Sequence, residues 1–442
     1  MRKLFHIEDT LANKISFYHL LLLLVSLPFD FFYSHIILIS FCLHTLIHFK
    51  KANVKPFLTW RTLLLQSVFI LTLIGSTYTS YQNQAFTDLG RQVVILIFPI
   101  AFFLNPLNLN KYRAQLLLGF SVCCTATVAY LYLDALLVIR YYHMPFKTLF
   151  SRLFTNHNFS EPIGMHATFF SLQIGVALVY LFTVWVKQTE RKQKIFYAVC
   201  CAVLAAGLIQ LSSKSVFLIA FIMVNFLLPL YLMNGRRRVI FLTTSFAISI
   251  LIIIAIFKVG AFKERYLSSF SNDLSRKPLN EVVDSRLSRW RVSFGLIRQK
   301  PIIGYGSGSE MALLRESFYQ HKLYDSFLNR LNSHNEYLSL WLNGGIGALL
   351  VYVLTLAYGF KKSIDTKDII FFTFMMLIAI VSLSENIFDV DKGTMFYGFF
   401  FSFFIFSNQQ KNIERQHFTN KNILTNGQPV PEFARVDYSS IV

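Results

Sequence analysis

Between Ser285 and Gly347 the chain reads Ser285-Arg286-Leu287-Ser288-Arg289-Trp290, then Pro301-Ile302-Ile303-Gly304-Tyr305-Gly306-Ser307-Gly308. It continues through Asn332-Ser333-His334-Asn335-Glu336-Tyr337 and closes on Gly344-Gly345-Ile346-Gly347. Arginines, a glycine-rich turn and a histidine thus share one polar segment of roughly 75 residues, far longer than an ordinary connection. Apolar runs flank it on both sides. A polar segment of this length between hydrophobic walls describes a membrane protein that carries its chemistry on one large loop.

The composition agrees. Of 442 residues, 54% are hydrophobic, 47 are phenylalanine and 15% are charged, with a mean hydropathy of +0.49. Soluble proteins keep roughly a quarter of their residues charged. Apolar runs long enough to cross a hydrocarbon core recur from end to end, so the fold class is all-α, a polytopic helical membrane protein. The net charge of +19 does not indicate nucleic acid, because many basic residues cluster in short loops between apolar runs, the pattern that orients membrane helices. The remainder sits in the large loop, where it suits lipid headgroups or phosphates. Cys42, Cys123, Cys124, Cys200 and Cys201 all fall inside apolar runs, and two pairs are sequence neighbours; neither a disulfide framework nor zinc spacing is visible. The first apolar run follows Met1-Arg2-Lys3 and Lys14 without a small-residue cleavage site and reads as a retained helix.

Hydropathy predicts about twelve spans, near 15–32, 33–49, 58–78, 91–107, 113–139, 161–187, 194–211, 214–234, 239–259, 337–359, 368–385 and 392–408. The first two form a tight hairpin around Pro28 and Asp30. Residues 1–410 make up the membrane domain, the large loop within it covers 260–336, and 411–442 reads as a flexible polar tail. Lys50, Lys51 and Lys55 lie on one side with Lys111, Arg113, Lys187, Arg191, Lys192, Lys194, the Arg236–Arg238 run and Lys361, Lys362 and Lys367. The alternate loops are poorer in basic residues, although one carries Arg140, Lys147 and Arg152. By the positive-inside rule both termini are cytoplasmic and the large loop faces outward.

The half-loop from Lys263 to Lys300 holds nine Lys/Arg against four acids. A helix from Asp284 to Lys300 would put Arg286 and Arg289 on one face, with Trp290 and Phe294 paired one turn apart. Two readings fit that face: guanidinium forks binding phosphate oxygens, or an amphipathic helix lying on anionic headgroups. The Gly304-Tyr305-Gly306-Ser307-Gly308 turn is either an anion-binding nest or simply a tight turn; no βαβ context makes it a dinucleotide fingerprint. His334, at a membrane boundary, is either a general base or a surface histidine at a helix start. Lys214 and Arg91 begin spans and Glu385 ends one, all on the side of the large loop; ionisable residues there are functional candidates, or snorkel. His157 with His166, and Asp389 with Asp391, are too sparse to define a metal site.

In this order, the residues resemble the O-antigen ligase and O-antigen polymerase superfamily of bacterial membrane glycosyltransferases. The matching elements are Arg286 four residues before Trp290, Pro301 with Gly304 and Gly306, His334-Asn335-x-Tyr337-Leu338 and Gly344-Gly345-x-Gly347. Upstream, Ser212-Ser213-Lys214-Ser215 is similar to a serine-arginine element with lysine in place of arginine; downstream, Ser384-Glu385-Asn386 is similar to a late acidic motif. The resemblance implies a metal-independent, cofactor-free enzyme at the outer face of the bacterial inner membrane. It implies a polyprenyl-pyrophosphate-linked glycan as donor, and a sugar hydroxyl of lipid A-core (ligase) or another lipid-linked repeat unit (polymerase) as acceptor. On it His334 and Arg286 are expected to be catalytic, with Lys214 and Arg91 on the pyrophosphate and Asn335, Tyr337, Glu385, Gly304 and Gly306 in support. Arg289 joins the pyrophosphate group from helical spacing alone. A lipid-linked sugar transporter is the competing class.

Overall fold

The computed structural model describes residues 5–29, 31–49, 60–258, 260–263 and 284–426. The predicted loop residues 264–283 and tail residues 427–442 lie outside them.

The chain opens with an antiparallel hairpin, α1 (Leu11–Ser26) and α2 (Phe31–His48), joined where the Ser26 and Ser34 hydroxyls meet at 3.0 Å. Helix α3 (Trp60–Leu65) and α4 (Ser67–Ser76) follow, then α5 (Gln82–Leu104), α6 (Leu109–Tyr141), α7 (Ala167–Lys187) and α8 (Arg191–Leu211). Helix α9 (Lys214–Ile222) continues through a widened turn to Leu232, and α10 runs Gly235–Lys258. The widening has a local cause. Pro229 has no N–H to give the carbonyl four residues back, and just before it the N–H of Leu228 bonds Met223, five back, instead. The large loop carries α11 (Arg286–Gln299), α12 (Glu310–Gln320) and α13 (Tyr324–Leu328). Helices α14 (Glu336–Asp365), α15 (Ile369–Val381) and α16 (Asp391–Asn426) complete the chain.

The all-helical membrane class stands, but the span count differs from twelve. Among the described residues seven helices are long and apolar enough to cross a membrane: α5, α6, α7, α8, α9 with its extension, α10 and α14. Helices α1, α2, α4 and α15 are apolar but shorter. The 58–78 run is two helices broken at Gln66, whose side-chain amide bonds the Leu96 carbonyl of α5. The 368–385 run stops being helical at Val381, where the chain turns. The 392–408 run is buried among its neighbours along its whole length, surrounded by protein rather than lipid. Its helix continues through 411–426, the first half of the predicted tail.

Helix α16 is the aromatic spine of the bundle. Phe399 meets Phe98 of α5 at 5.4 Å, Phe400 meets Phe120 of α6 at 5.0 Å, and Phe404 meets Phe371 of α15 at 5.2 Å between ring centroids. Burying apolar surface against lipid gains little, so tight ring contacts of this kind, edge-to-face in the first two and stacked in the third, are what hold membrane helices together. Helix α5 begins nine residues before its predicted span, because Gln82 ties the extension down by donating to the Ser76 and Thr79 carbonyls. Arg91 therefore lies inside a helix rather than at its start. The starts of α5, α9, α14 and α16, the end of α15 and the loop helices all gather at one end of the bundle.

Candidate active site

The site begins as a knot between two turns. After Val381 the chain folds back across the start of α14, and the two segments interlock. The N–H of Glu336 donates to the Ser382 carbonyl at 2.8 Å, that of Asn335 to Asn386 Oδ1 at 2.8 Å, and that of Phe388 to Glu336 Oε2 at 3.0 Å. Asn335 Oδ1 also caps α14 by accepting from the Leu338 N–H at 3.1 Å, satisfying an otherwise orphaned donor. The Tyr337 hydroxyl donates to the Ala379 carbonyl at 2.9 Å. Asn335 and Tyr337 thus act on the frame, not on a ligand.

This knot brings together His334 and Glu385, 51 positions apart, with Nδ1 of the imidazole 3.2 Å from Glu385 Oε2. Arg286 Nη2 approaches the other oxygen, Oε1, at 3.6 Å. Burial pushes the Glu385 carboxyl up, but the hydrogen bond and charge of His334, with the charges of His166 and Arg286, outweigh it and hold it at about 2. An ionised Glu385 accepts the Nδ1 proton, which leaves Nε2 as the imidazole's free base position. The side chains are partly open, Arg286 27% and His334 24% exposed.

The backbone of His334 is left-handed, φ +48°, a sparsely populated conformation for a branched ring. Its N–H is held by Asn332 Oδ1 at 3.0 Å, and the preceding Ser333 carbonyl by the Trp290 indole at 3.0 Å. Arg286 and Trp290, one turn apart on α11, therefore serve the same spot, which is the physical content of their spacing. Arg289 goes elsewhere: it is buried against Asp284 at 3.5 Å and Ser326 at 3.3 Å, and joins α11 to α13 instead of facing the His334 cluster.

Lys214 opens α9, and its neighbour Ser215 meets the Ser384 hydroxyl at 2.7 Å, so the lysine stands beside the Glu385 turn. Arg91 pairs with Asp88 at 3.5 Å and lines, together with His334, a cavity of about 590 Å³. His157 and His166 come within 4.0 Å of each other, ring to ring. Among the described residues no group of three or more His, Cys, Asp or Glu is placed to hold a metal.

The glycine turn is a docking element. The N–H groups of Gly304, Tyr305, Gly306 and Ser307 bond the carbonyls of Lys300, Leu342, Asn343 and Gly75, so they are engaged within the protein and do not form an anion nest. Gly345 makes room for this: at φ +69° it kinks α14, and a Cβ there would lie 1.9 Å from the Ile302 carbonyl oxygen. At Gly306, φ +89°, a Cβ would meet Thr79 at 2.5 Å. The two glycine motifs are the halves of one contact that straps the loop to α14 and α4.

Two more buried carboxylates join this knot: Glu310, which carries no mark in the sequence motifs, and Asp389, which the sequence offered only as half of an acidic pair. Glu310 accepts from the Ser333 N–H at 2.9 Å, from Asn386 Nδ2 at 3.2 Å and from the Ser339 hydroxyl. Asp389 accepts from Asn332 at 2.9 Å and Asn386 at 3.1 Å. Burial pushes both carboxyls up, and the Asp389 charge pushes Glu310 further. Glu310, in the first turn of α12, reads locally as an ordinary helix start, which hides it.

Among curated proteins none matches the chain. Residues 200–353, from the middle of α8 into α14, match the family model described as O-antigen ligase; that segment contains Lys214, Arg286 and His334 but neither Arg91 nor Glu385. About a third of the chain, carrying the arginine–histidine loop just described, is thus similar to the O-antigen ligase family.

Proposed function

We propose that the protein is an O-antigen ligase-like transferase that moves a glycan from a polyprenyl-pyrophosphate carrier to a sugar hydroxyl, with inversion at the anomeric carbon and without a metal. One observation carries the reading: a single carboxylate, Glu385, lies between an imidazole at 3.2 Å and a guanidinium at 3.6 Å, at the end of a membrane-spanning bundle and beside a cavity. Glu385 orients His334 so that Nε2 accepts the proton of the acceptor hydroxyl. That oxygen attacks the anomeric carbon as the bond to the pyrophosphate oxygen breaks. Arg286, with Lys214, compensates the charge that grows on the departing pyrophosphate, while Arg91 stays on the cavity wall, paired with Asp88. The proton stays on the imidazole, where Glu385 balances it. The donor's polyprenyl tail remains in lipid throughout, which suits a site at the ends of apolar helices.

The test uses the purified full chain in lipid vesicles, supplied with a polyprenyl-pyrophosphate glycan and, separately, with lipid A-core or with further lipid-linked repeat units. Release of polyprenyl pyrophosphate coupled to glycan on lipid A-core is expected. Chain growth on repeat units alone would assign a polymerase, the second member of the same superfamily. Movement of the carrier across the bilayer with no transfer to either acceptor would overturn the enzyme reading in favour of a transporter.

A further inference from the structure

The cavity beside His334 is walled on one side by Gln84, Asp88 and Arg91 of α5 and on the other by Arg315, Arg330 and Asn332 of the large loop. Its volume, about 590 Å³, falls within the roughly 300–1,000 Å³ usual for small-molecule sites. We infer that this cavity is the acceptor subsite and that it selects an anionic saccharide, one bearing a phosphate ester or a carboxylate, through Arg315 and Arg330. The inference rests on the transferase reading of His334.

The charges around the wall are unequally answered. Arg91 has Asp88 at 3.5 Å. Asp389 is enclosed by the amides of Asn332 and Asn386, and Glu310, also on the wall, by the Ser333 N–H, Asn386 and the Ser339 hydroxyl. Among the described residues no carboxylate pairs with Arg315 or Arg330 within 4.0 Å. The Arg315 guanidinium is held over the Phe327 ring at 5.1 Å, a contact that orients it without neutralising it. Arg330 is left-handed, φ +50°, in a turn closed by the Leu331 N–H on the Ser326 carbonyl at 3.0 Å. That bond is the cap that ends α13, and it fixes where the Arg330 side chain leaves the backbone at the cavity wall. A guanidinium fork matches phosphate or carboxylate oxygens two at a time.

Arg286 is not on this wall; it approaches Glu385 from the oxygen opposite His334. The carrier's pyrophosphate therefore has its own cation, and the anion drawn by Arg315 and Arg330 belongs to the sugar that brings the attacking hydroxyl.

The experiment measures binding of glucose, glucose 6-phosphate and glucuronate to the detergent-solubilised full chain by isothermal titration calorimetry. At least one anionic sugar is expected to bind about tenfold tighter than glucose, the increment of one charge-assisted contact; which one identifies the source of the charge. The Arg315→Gln/Arg330→Gln double variant should lose that preference while its melting temperature holds, and Arg286→Ala should keep it. Equal binding of all three sugars, no binding of any, a preference that survives the double variant, or one lost in Arg286→Ala would each overturn the proposal. Because no turnover is needed, a preserved preference in a protein that transfers no glycan would leave the anion site standing and remove only its role as acceptor subsite.

Discussion

Helix α15 has an arginine–carboxylate arrangement at each end, and the two are built differently. At its start Asp368 caps the helix through the Phe371 N–H at 3.1 Å, meets Arg113 at 2.5 Å and accepts from Asn408 at 2.9 Å, while Arg113 lies over the Phe404 ring. Arg113 is 15% exposed and Asp368 8%. Both charges are spent on each other. Beyond its other end Glu385 is shared between two cations at longer range, both cations are about a quarter exposed, one sits on a strained backbone, and a cavity adjoins. Saturated geometry stabilises; open geometry leaves charge available to a substrate. The contrast locates chemistry better than the mere presence of a buried ion pair, which is weak evidence of either role.

That contrast can be broken from either side. The largest effect is expected at the open end: His334→Asn, chosen because asparagine tolerates a left-handed backbone, should lower glycan transfer by roughly 10²–10⁴-fold, and Arg286→Ala by roughly 10²–10³-fold. Near-wild-type turnover in either variant removes that residue from the chemistry.

At the closed end, Asp368→Asn leaves Arg113 uncompensated and should cost about 3–5 kcal/mol of stability. Thermal unfolding reads this, and transfer per folded molecule should stay unchanged. A fall in specific activity with no loss of stability would erase the distinction between the two ends.

Acid sharpens it further. The folded-state value of Glu385, about 2, lies below the roughly 4.3 of a free glutamate. Its contribution to stability is present above pH ~4.3 and disappears as pH falls from there towards about 2. Losing the His334 partner raises Glu385 towards the free value, so in His334→Asn the stability lost on acidification should be smaller and should end at a higher pH in melting curves taken across that range. Identical curves for the two proteins would deny the coupling. The smallest effect is expected for Tyr337→Phe, which removes the bond to the Ala379 carbonyl and should cost about 0.5–1.5 kcal/mol, with transfer per folded molecule retained.

Much of the site was visible as residues and little of it as a site. Arg286, Trp290, His334 and Glu385 stand in motifs whose spacing can be read directly, and the structure gathers all four. Arg289 shows the limit of that reading. Helical periodicity puts it beside Arg286, but Asp284, five positions back, and Ser326, 37 positions on, capture its guanidinium, and the second partner is one that local spacing does not show. Gly304 and Gly306 suited a phosphate nest as well as a turn until the carbonyls of α14 and α4 were found to occupy their N–H groups. Glu310 was hidden because burial, not sequence context, sets it apart, and Asp389, visible only as half of an acidic pair, owes its place in the knot to the same burial. Arg91 seemed to begin a span because hydropathy cannot see a polar helical turn held by Gln82.

From its amino acids alone the chain is a bundle of apolar helices with one large polar loop, because crossing a hydrocarbon layer demands long runs that no soluble protein needs. The loop's arginine and histidine motifs are equally a property of the sequence. Only the tertiary structure decided which carboxylate the histidine uses, which arginines reach the cavity and which are consumed in holding the loop. Those outcomes depend on where helix ends meet and on left-handed residues such as His334, and a charge's partner in a buried turn is chosen by distance in space, which local spacing does not encode.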